Sequence, residues 1–165
     1  MKLSLLPILN FDGKKLQIDE AVAITANSND GFLVKNPVRF RGVAANIGGT
    51  IELKGEASAE ISMPCDRCAE MFEKVISFSI DERFKKEDSF SEAEENPDIV
   101  AFKGTEIDLS DIVYSNLYLN IPPKNLCKDD CKGLCSSCGT NLNYGDCTCD
   151  TDITDMRFDI LDNLL

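Results

Sequence analysis

Eight cysteines and no histidine set the chemistry open to this chain. Six of the eight fall between residues 127 and 149, as Cys127-x3-Cys131-x3-Cys135-x2-Cys138-x8-Cys147-x-Cys149. Zinc takes four thiolates in a tetrahedron, and a Cys-x-x-Cys on a tight turn delivers two of them from one loop. Gly139 after Cys138 lets that turn close, and Gly145-Asp146-Cys147-Thr148-Cys149 can supply the opposite pair. The spacing predicts a compact knuckle that metal binding itself helps to fold. Zn2+ is the expected ion, with an iron–sulfur cluster or unliganded thiols as the other readings.

How the ligands divide is open at this level. Cys135, Cys138, Cys147 and Cys149 make one complete set, which leaves Cys127 and Cys131 together with Cys65 and Cys68. Either those four form a second site that pins the tail onto the strands around Cys65, or one zinc draws on Cys127 or Cys131 and leaves spare thiols. One or two ions are expected. Cys65-x-x-Cys68 by itself reads as a zinc half-site, as the redox pair of a thiol-disulfide oxidoreductase, or as two semi-buried thiols at a turn. A thioredoxin-like redox motif enters a helix within a βαβ unit; this one lies between strands, which disfavours the redox reading.

The absence of histidine removes Ser-His and Cys-His nucleophile pairs and imidazole acid–base chemistry, and the carboxylates show no paired spacing that singles out a hydrolytic site. The formal charge is −12. Because zinc ligands are deprotonated, one four-thiolate site takes the total to about −14 and two take it to about −16. A surface this negative repels phosphate backbones unless basic residues gather on one face, so a basic protein partner suits it better than bare RNA. Arg39 and Arg41 share one face of a strand and, with Arg67 and Arg83, are the candidates for an RNA-facing patch; a solvated sheet face offset by glutamates is the plainer reading. Asn141, Asn143 and Tyr144 in the cysteine loop can meet a nucleobase, although asparagines in such loops usually satisfy turn backbone.

The elements that must position these groups are mostly strands. From Thr50 to Met63, Ile51, Leu53, Ala57, Ala59, Ile61 and Met63 alternate with polar residues, the period-2 pattern of a half-buried strand, with Gly55 marking a bend. A second strand covers Phe72 to Phe84, so Cys65-Asp66-Arg67-Cys68 sits at a hairpin turn. Further strands are predicted at Leu16–Thr25, at Val38–Ile47 and at Ile99–Phe102. In Val38–Ile47 the apolar parity switches at Gly42, which predicts a bulge there. Residues 85–98 read as an acidic loop. Asp108 opens a helix over 108–120 through Leu109, Ile112, Val113 and Leu117, ended by Pro122-Pro123, and a last helix from about Asp155 places Phe158, Leu161 and Leu165 on one face.

With 165 residues and a hydrophobic share of 43%, the chain has room for one globular domain and a small module. No apolar run approaches the ~20 residues of a membrane helix, and Met1–Asn10 lacks the pattern of a signal peptide. A cytoplasmic protein is expected, where clustered cysteines serve as metal ligands or redox groups rather than disulfides.

Cys65-Asp66-Arg67-Cys68, the run Ile107-Asp108-Leu109, Leu119-Asn120-Ile121-Pro122, the segment from Cys131-Lys132-Gly133-Leu134-Cys135 through Cys138-Gly139-Thr140-Asn141-Leu142-Asn143, then Cys147-Thr148-Cys149 and Asp155-Met156-Arg157 together resemble the YceD family of large ribosomal RNA subunit accumulation proteins. The likeness runs over about residues 60–160, and residues 1–50 share only its β character. It implies a bacterial cytosolic protein needed for accumulation of large-subunit (23S) ribosomal RNA, with no known catalytic activity. Some members lack the late cysteines yet keep the Cys-x-Arg-Cys turn. Ser136 and Met156 stand where relatives often carry proline, and neither supplies a ligand. The expectation is an α+β protein: a β-rich domain over 1–122, a curved sheet or partly open barrel with its helix, followed by a cysteine-rich zinc module over 123–165. It would act without catalysis on a ribosomal protein or a large-subunit rRNA precursor, with no membrane and no small-molecule substrate.

Overall fold

A computed structural model describes residues 1–26, 29–89 and 98–149. The fold is α+β. In chain order the elements are β1 (Lys2–Ser4), α1 (Leu6–Leu9), β2 (Lys15–Val22), β3 (Leu33–Val34), β4 (Val38–Ile47), β5 (Thr50–Pro64), β6 (Met71–Lys86), a 3-10 turn at Glu87–Ser89, β7 (Ile99–Phe102), β8 (Glu106–Asp108) and α2 (Leu109–Asn120). The expected last helix from Asp155, and most of the expected acidic loop, lie outside the described residues.

Two compact units emerge. Unit 1 takes Met1–Met63 and Phe72–Pro123, and unit 2 takes Pro64–Met71 with the chain from Lys124 onward. Unit 2 is therefore assembled from two stretches far apart in sequence.

Unit 1 is built on an open six-stranded sheet ordered β2-β4-β5-β6-β7, with β3 paired to β5; β1 and β8 form a separate two-stranded ribbon. Alternation explains the sheet: Ile51, Leu53, Ala57, Ala59 and Ile61 of β5 face the core with Ile76, Phe78, Ile80 and Phe84 of β6. The β2 ladder ends at Val22↔Val38, where β4 begins, so the strand stops short of the expected Thr25. Strand β7 runs parallel to β6, from Arg83↔Ile99 to Lys86↔Phe102. Helix α2 starts at Asp108, whose carboxylate accepts from the Ser110 N–H at 3.0 Å, and it buries Leu109, Val113 and Leu117.

The bulge expected at Gly42 is absent. Pairing runs unbroken through Arg41↔Glu56, Gly42↔Gly55 and Val43↔Lys54, and on the other side through Ile18↔Gly42. The inward parity also holds, from Val38 and Phe40 through Ala44 to Asn46. Two features disguised it. Asn46 is a polar residue at a core position, where its amide donates to the Ile8 and Leu9 carbonyls at 2.8 and 2.9 Å at the end of α1. Gly42 faces Gly55 because the Phe40 ring lies over both: a Cβ on either would stand 2.7 Å from that ring.

Candidate metal centre

All eight cysteines belong to unit 2 and none is in a disulfide. They gather as two groups of four, Cys65, Cys68, Cys127 and Cys131 (cluster A) and Cys135, Cys138, Cys147 and Cys149 (cluster B), and within each group the sulfurs lie within 4.8 Å of one another. In cluster A, Cys65 Sγ is 3.8 Å from Cys131 Sγ, and Cys68 Sγ is 3.7 Å from Cys127 Sγ. A metal ion about 2.3 Å from each of four sulfurs sets tetrahedral edges of roughly 3.8 Å. The donor set and spacing fit a thiolate-bound ion and are compatible with zinc. Of the two divisions left open by spacing, the structure forms the one with two complete sets.

The two Cys-x-x-Cys turns share one backbone design. The Cys65 N–H donates to the Glu70 carbonyl at 2.8 Å and the Ala69 N–H returns to the Cys65 carbonyl at 2.9 Å; Cys135 with Thr140, and Gly139 with Cys135, repeat these bonds at 2.8 and 2.9 Å. The residue after the second cysteine is left-handed in both, Ala69 with φ 59° and Gly139 with φ 73°. The turn aims backbone N–H groups at sulfur, an arrangement that favours thiolates.

Cluster A joins two chain segments through contacts that spacing did not reveal. The Asp66 N–H donates to the Asn125 carbonyl at 2.9 Å and the Asn125 N–H to the Asp66 carboxylate at 2.5 Å. Arg67 donates from Nη1 to the Cys131 carbonyl at 2.7 Å, and its own carbonyl accepts from the Leu134 N–H at 3.1 Å. The Cys127 N–H points at Cys65 Sγ, 3.4 Å away. Asn143 donates from Nδ2 to Cys131 Sγ at 3.3 Å and to Asn141 Oδ1 at 2.8 Å, while its Oδ1 accepts from the Lys132 N–H at 3.0 Å. Asn141 and Asn143 thus hold the turn and a sulfur together. The signal for this was their place in a cysteine loop; their partners only the fold supplied.

Electrostatics splits each cluster into two acidic and two basic thiols. Burial pushes the Cys65 thiol up, but the N–H groups of Arg67, Cys127 and Cys68 outweigh it and bring it down to about 6. The Asn143 amide lowers Cys131. The Glu70 N–H favours the Cys68 thiolate, yet burial and the Cys65 sulfur leave Cys68 raised. Burial and the three other sulfurs push Cys127 up to about 12. In cluster B, Thr140 draws Cys138 down to about 6 through its hydroxyl and N–H, and the N–H groups of Cys138 and Ser137 lower Cys135. The Cys138 sulfur and burial push Cys149 up to about 12. Cys147 is raised by the Cys135 sulfur and burial despite the Cys149 N–H. Four crowded sulfurs cannot all ionise on their own; a dication lets them.

The arginines suggested for RNA contact are placed differently from one another. Arg39 meets both oxygens of the Asp19 carboxylate at 3.2 Å, and Arg41 meets the same carboxylate at 3.2 Å, all on the exposed face of the sheet. The Arg39 guanidinium, with Arg41 beside it, holds Asp19 below the usual carboxylate range even against desolvation. Arg83 pairs with Glu52 at 3.4 Å. Arg67 alone of the four belongs to unit 2.

An α+β body joined in sequence to a unit with paired four-cysteine clusters defines a protein whose cysteine groups are compatible with metal binding. No helix among the described residues is long and apolar enough to cross a membrane. Residues 53–165 match the family described as Large ribosomal RNA subunit accumulation protein YceD, and the chain belongs to that family. Its description ties it to accumulation of large-subunit ribosomal RNA. The chain is also 37% identical over 59 residues to an Arabidopsis thaliana protein, Large ribosomal RNA subunit accumulation protein YCED homolog 1, chloroplastic; the alignment covers 36% of this chain and 18% of that relative's length. No solved structure gives a significant match.

Proposed function

We propose that this protein is a non-enzymatic accessory factor for large-subunit (23S) rRNA accumulation and ribosome assembly, acting in the cytoplasm as a zinc-bearing docking protein. The observation that carries the reading is the pair of complete four-sulfur groups. Among their described residues, the stretches 64–71 and 124–149 contain no regular helix or strand beyond the ends of β5 and β6 and an isolated bridge at Leu134↔Asn141. Two zinc ions, held by Cys65, Cys68, Cys127 and Cys131 and by Cys135, Cys138, Cys147 and Cys149, would give this part of the chain its rigidity. Rigid, pre-organised loops lose less entropy on docking than mobile ones.

The alternative, a thiol-disulfide oxidoreductase using Cys65 and Cys68, has less support. Both residues are only 3% exposed, and each sulfur faces another cysteine at under 4 Å, whereas a catalytic thiol needs access to its substrate. Absence of turnover in a disulfide-reduction assay is the expected outcome.

Gradient sedimentation tests the main reading. Zinc-loaded protein is expected to travel with large-subunit precursor particles, and cells lacking it are expected to accumulate less large-subunit rRNA. Protein that stays at the top of the gradient, with rRNA unchanged in its absence, would overturn the proposal.

A further inference from the structure

Among the described residues of unit 2, an exposed aromatic ring is held against a carboxylate. Tyr144 is 78% exposed, and its hydroxyl donates to Glu70 Oε2 at 2.9 Å. Its backbone is fixed as well, since the Tyr144 N–H donates to the Asn141 carbonyl at 3.2 Å in the same loop that braces Cys131. Leu134, bridged to Asn141, adds an exposed apolar side chain to that loop. A ring left in water at the end of a braced loop, with an acid at its hydroxyl, offers an arginine or lysine two things together. The π face attracts the cation, and Glu70 supplies the counter-charge.

The surroundings choose the sign of the partner. Over 64–71 and 124–149, four basic residues (Arg67, Lys124, Lys128, Lys132) face five acidic ones (Asp66, Glu70, Asp129, Asp130, Asp146). With a dication in each cluster, every four-thiolate site adds two negative charges, so these stretches stand at about −5. Arg67, a cation close to cluster A, has Nη1 on the Cys131 carbonyl. A phosphate backbone meets repulsion on this unit, and a cationic polypeptide meets attraction.

We infer that Tyr144 and Glu70 form a subsite on the metal module for an arginine or lysine side chain of a basic protein segment. This rests on the docking function proposed above and names the chemistry of the partner. The ring supplies the stacking surface, Glu70 the ion pair, and the metal-loaded clusters the long-range field that draws the segment in.

The test titrates the full, zinc-loaded chain with a hexa-arginine peptide and, separately, with a hexa-uridylate RNA, following the Tyr144 ring and Glu70 side-chain resonances by NMR. Saturable shifts with the peptide and none with the RNA are expected. Tyr144→Ala should weaken peptide binding about 5-fold, a loss of the size an exposed cation–π contact allows. Glu70→Gln should weaken it by a similar factor and flatten its salt dependence, and Tyr144→Phe, which keeps the ring, should stay within about 2-fold. The Tyr144→Phe and Glu70→Gln variants guard against a folding defect, because both conserve shape. Unmoved Tyr144 signals, equal binding by Tyr144→Ala, or a response to the RNA instead would overturn the inference. If the peptide fails to bind while the protein still sediments with large-subunit precursors, the subsite is wrong and the docking function stands. If the peptide binds as expected but sedimentation fails, the docking function is what falls.

Discussion

Clusters A and B share a turn and a ligand set, yet they are built on opposite plans. Cluster A joins residues 59 to 66 positions apart, and three of its four cysteines are buried. Cluster B comes from one short stretch, with only Cys135 buried and Cys138 exposed. Closing a long loop costs more chain entropy than closing a short one, so cluster A has more to offset and does so with a set of side-chain contacts: Asp66 with Asn125, Arg67 with the Cys131 carbonyl, and Asn143 with the Cys131 sulfur. Cluster B leans on Thr140, whose hydroxyl is 3.1 Å from Cys138 Sγ, and on its own turn. The lesson is that one motif serves two ends: A ties distant chain together, and B shapes a local loop.

The largest expected effect comes from breaking that tie. Cys131→Ser should reduce bound zinc from two ions per chain to one in native mass spectra and lower the melting midpoint by about 10 °C or more, because the metal's binding energy is folding energy. Cys138→Ser should also lose one ion but with a far smaller thermal shift. Equal shifts for the two variants would abolish the distinction between tie and local shape.

Chelator removal sharpens the same contrast without mutation. With Cys138 exposed in B and A largely buried, metal should leave in two phases, the first equivalent from cluster B. Alkylation mapping after the first phase should find label on Cys138, Cys147 and Cys149 and little on Cys65 or Cys68. Label spread evenly over all eight would contradict it.

Acidity should reveal what the clusters have in common. Each has two thiols shifted down and two shifted up, so near pH 7 to 8 uptake of a dication should displace at least two protons per site, those of the raised pair. The raised groups reach about 12 at Cys127 and Cys149, and the lowered ones about 6 at Cys65 and Cys138. As pH falls below about 6, Cys65 and Cys138 take up protons as well, more are displaced per ion, and affinity drops more steeply. Proton release measured by calorimetry in buffers of different ionisation enthalpy checks the count; a pH-independent value from 5 to 8 would be inconsistent with it.

The smallest effect separates the two turns at a single atom. Ala69 and Gly139 occupy the same left-handed position, which costs a residue with a Cβ about 1–2 kcal/mol. Gly139→Ala should destabilise by about 1 kcal/mol. Ala69→Gly relieves the strain but adds freedom to the unfolded chain, so the net gain should lie between about 0 and 1 kcal/mol. Chemical denaturation of the zinc-loaded protein reads both, and a loss of stability in Ala69→Gly would show that the turns are not equivalent.

Much of this was open to a reader of residues alone. Alternation announced β5, β6 and β4, Asp108 announced the start of α2, and the cysteine spacing announced cluster B, because each depends on neighbours a few positions away. Gly42 misled because its parity argument assumed that core positions are apolar, and Asn46 is a core residue whose amide is spent on the end of α1. The paired strand β1 with β8 and the parallel join of β6 to β7 were beyond local reading, and the meeting of Cys65 and Cys68 with Cys127 and Cys131 was only one of two divisions that spacing left open. Sequence determined which groups could bind metal and the local turns that present them, since ligand type and backbone preference are properties of short segments. The tertiary structure decided how eight sulfurs divide into two sets and which of them water reaches, because distance between remote segments is settled only when the whole chain is packed.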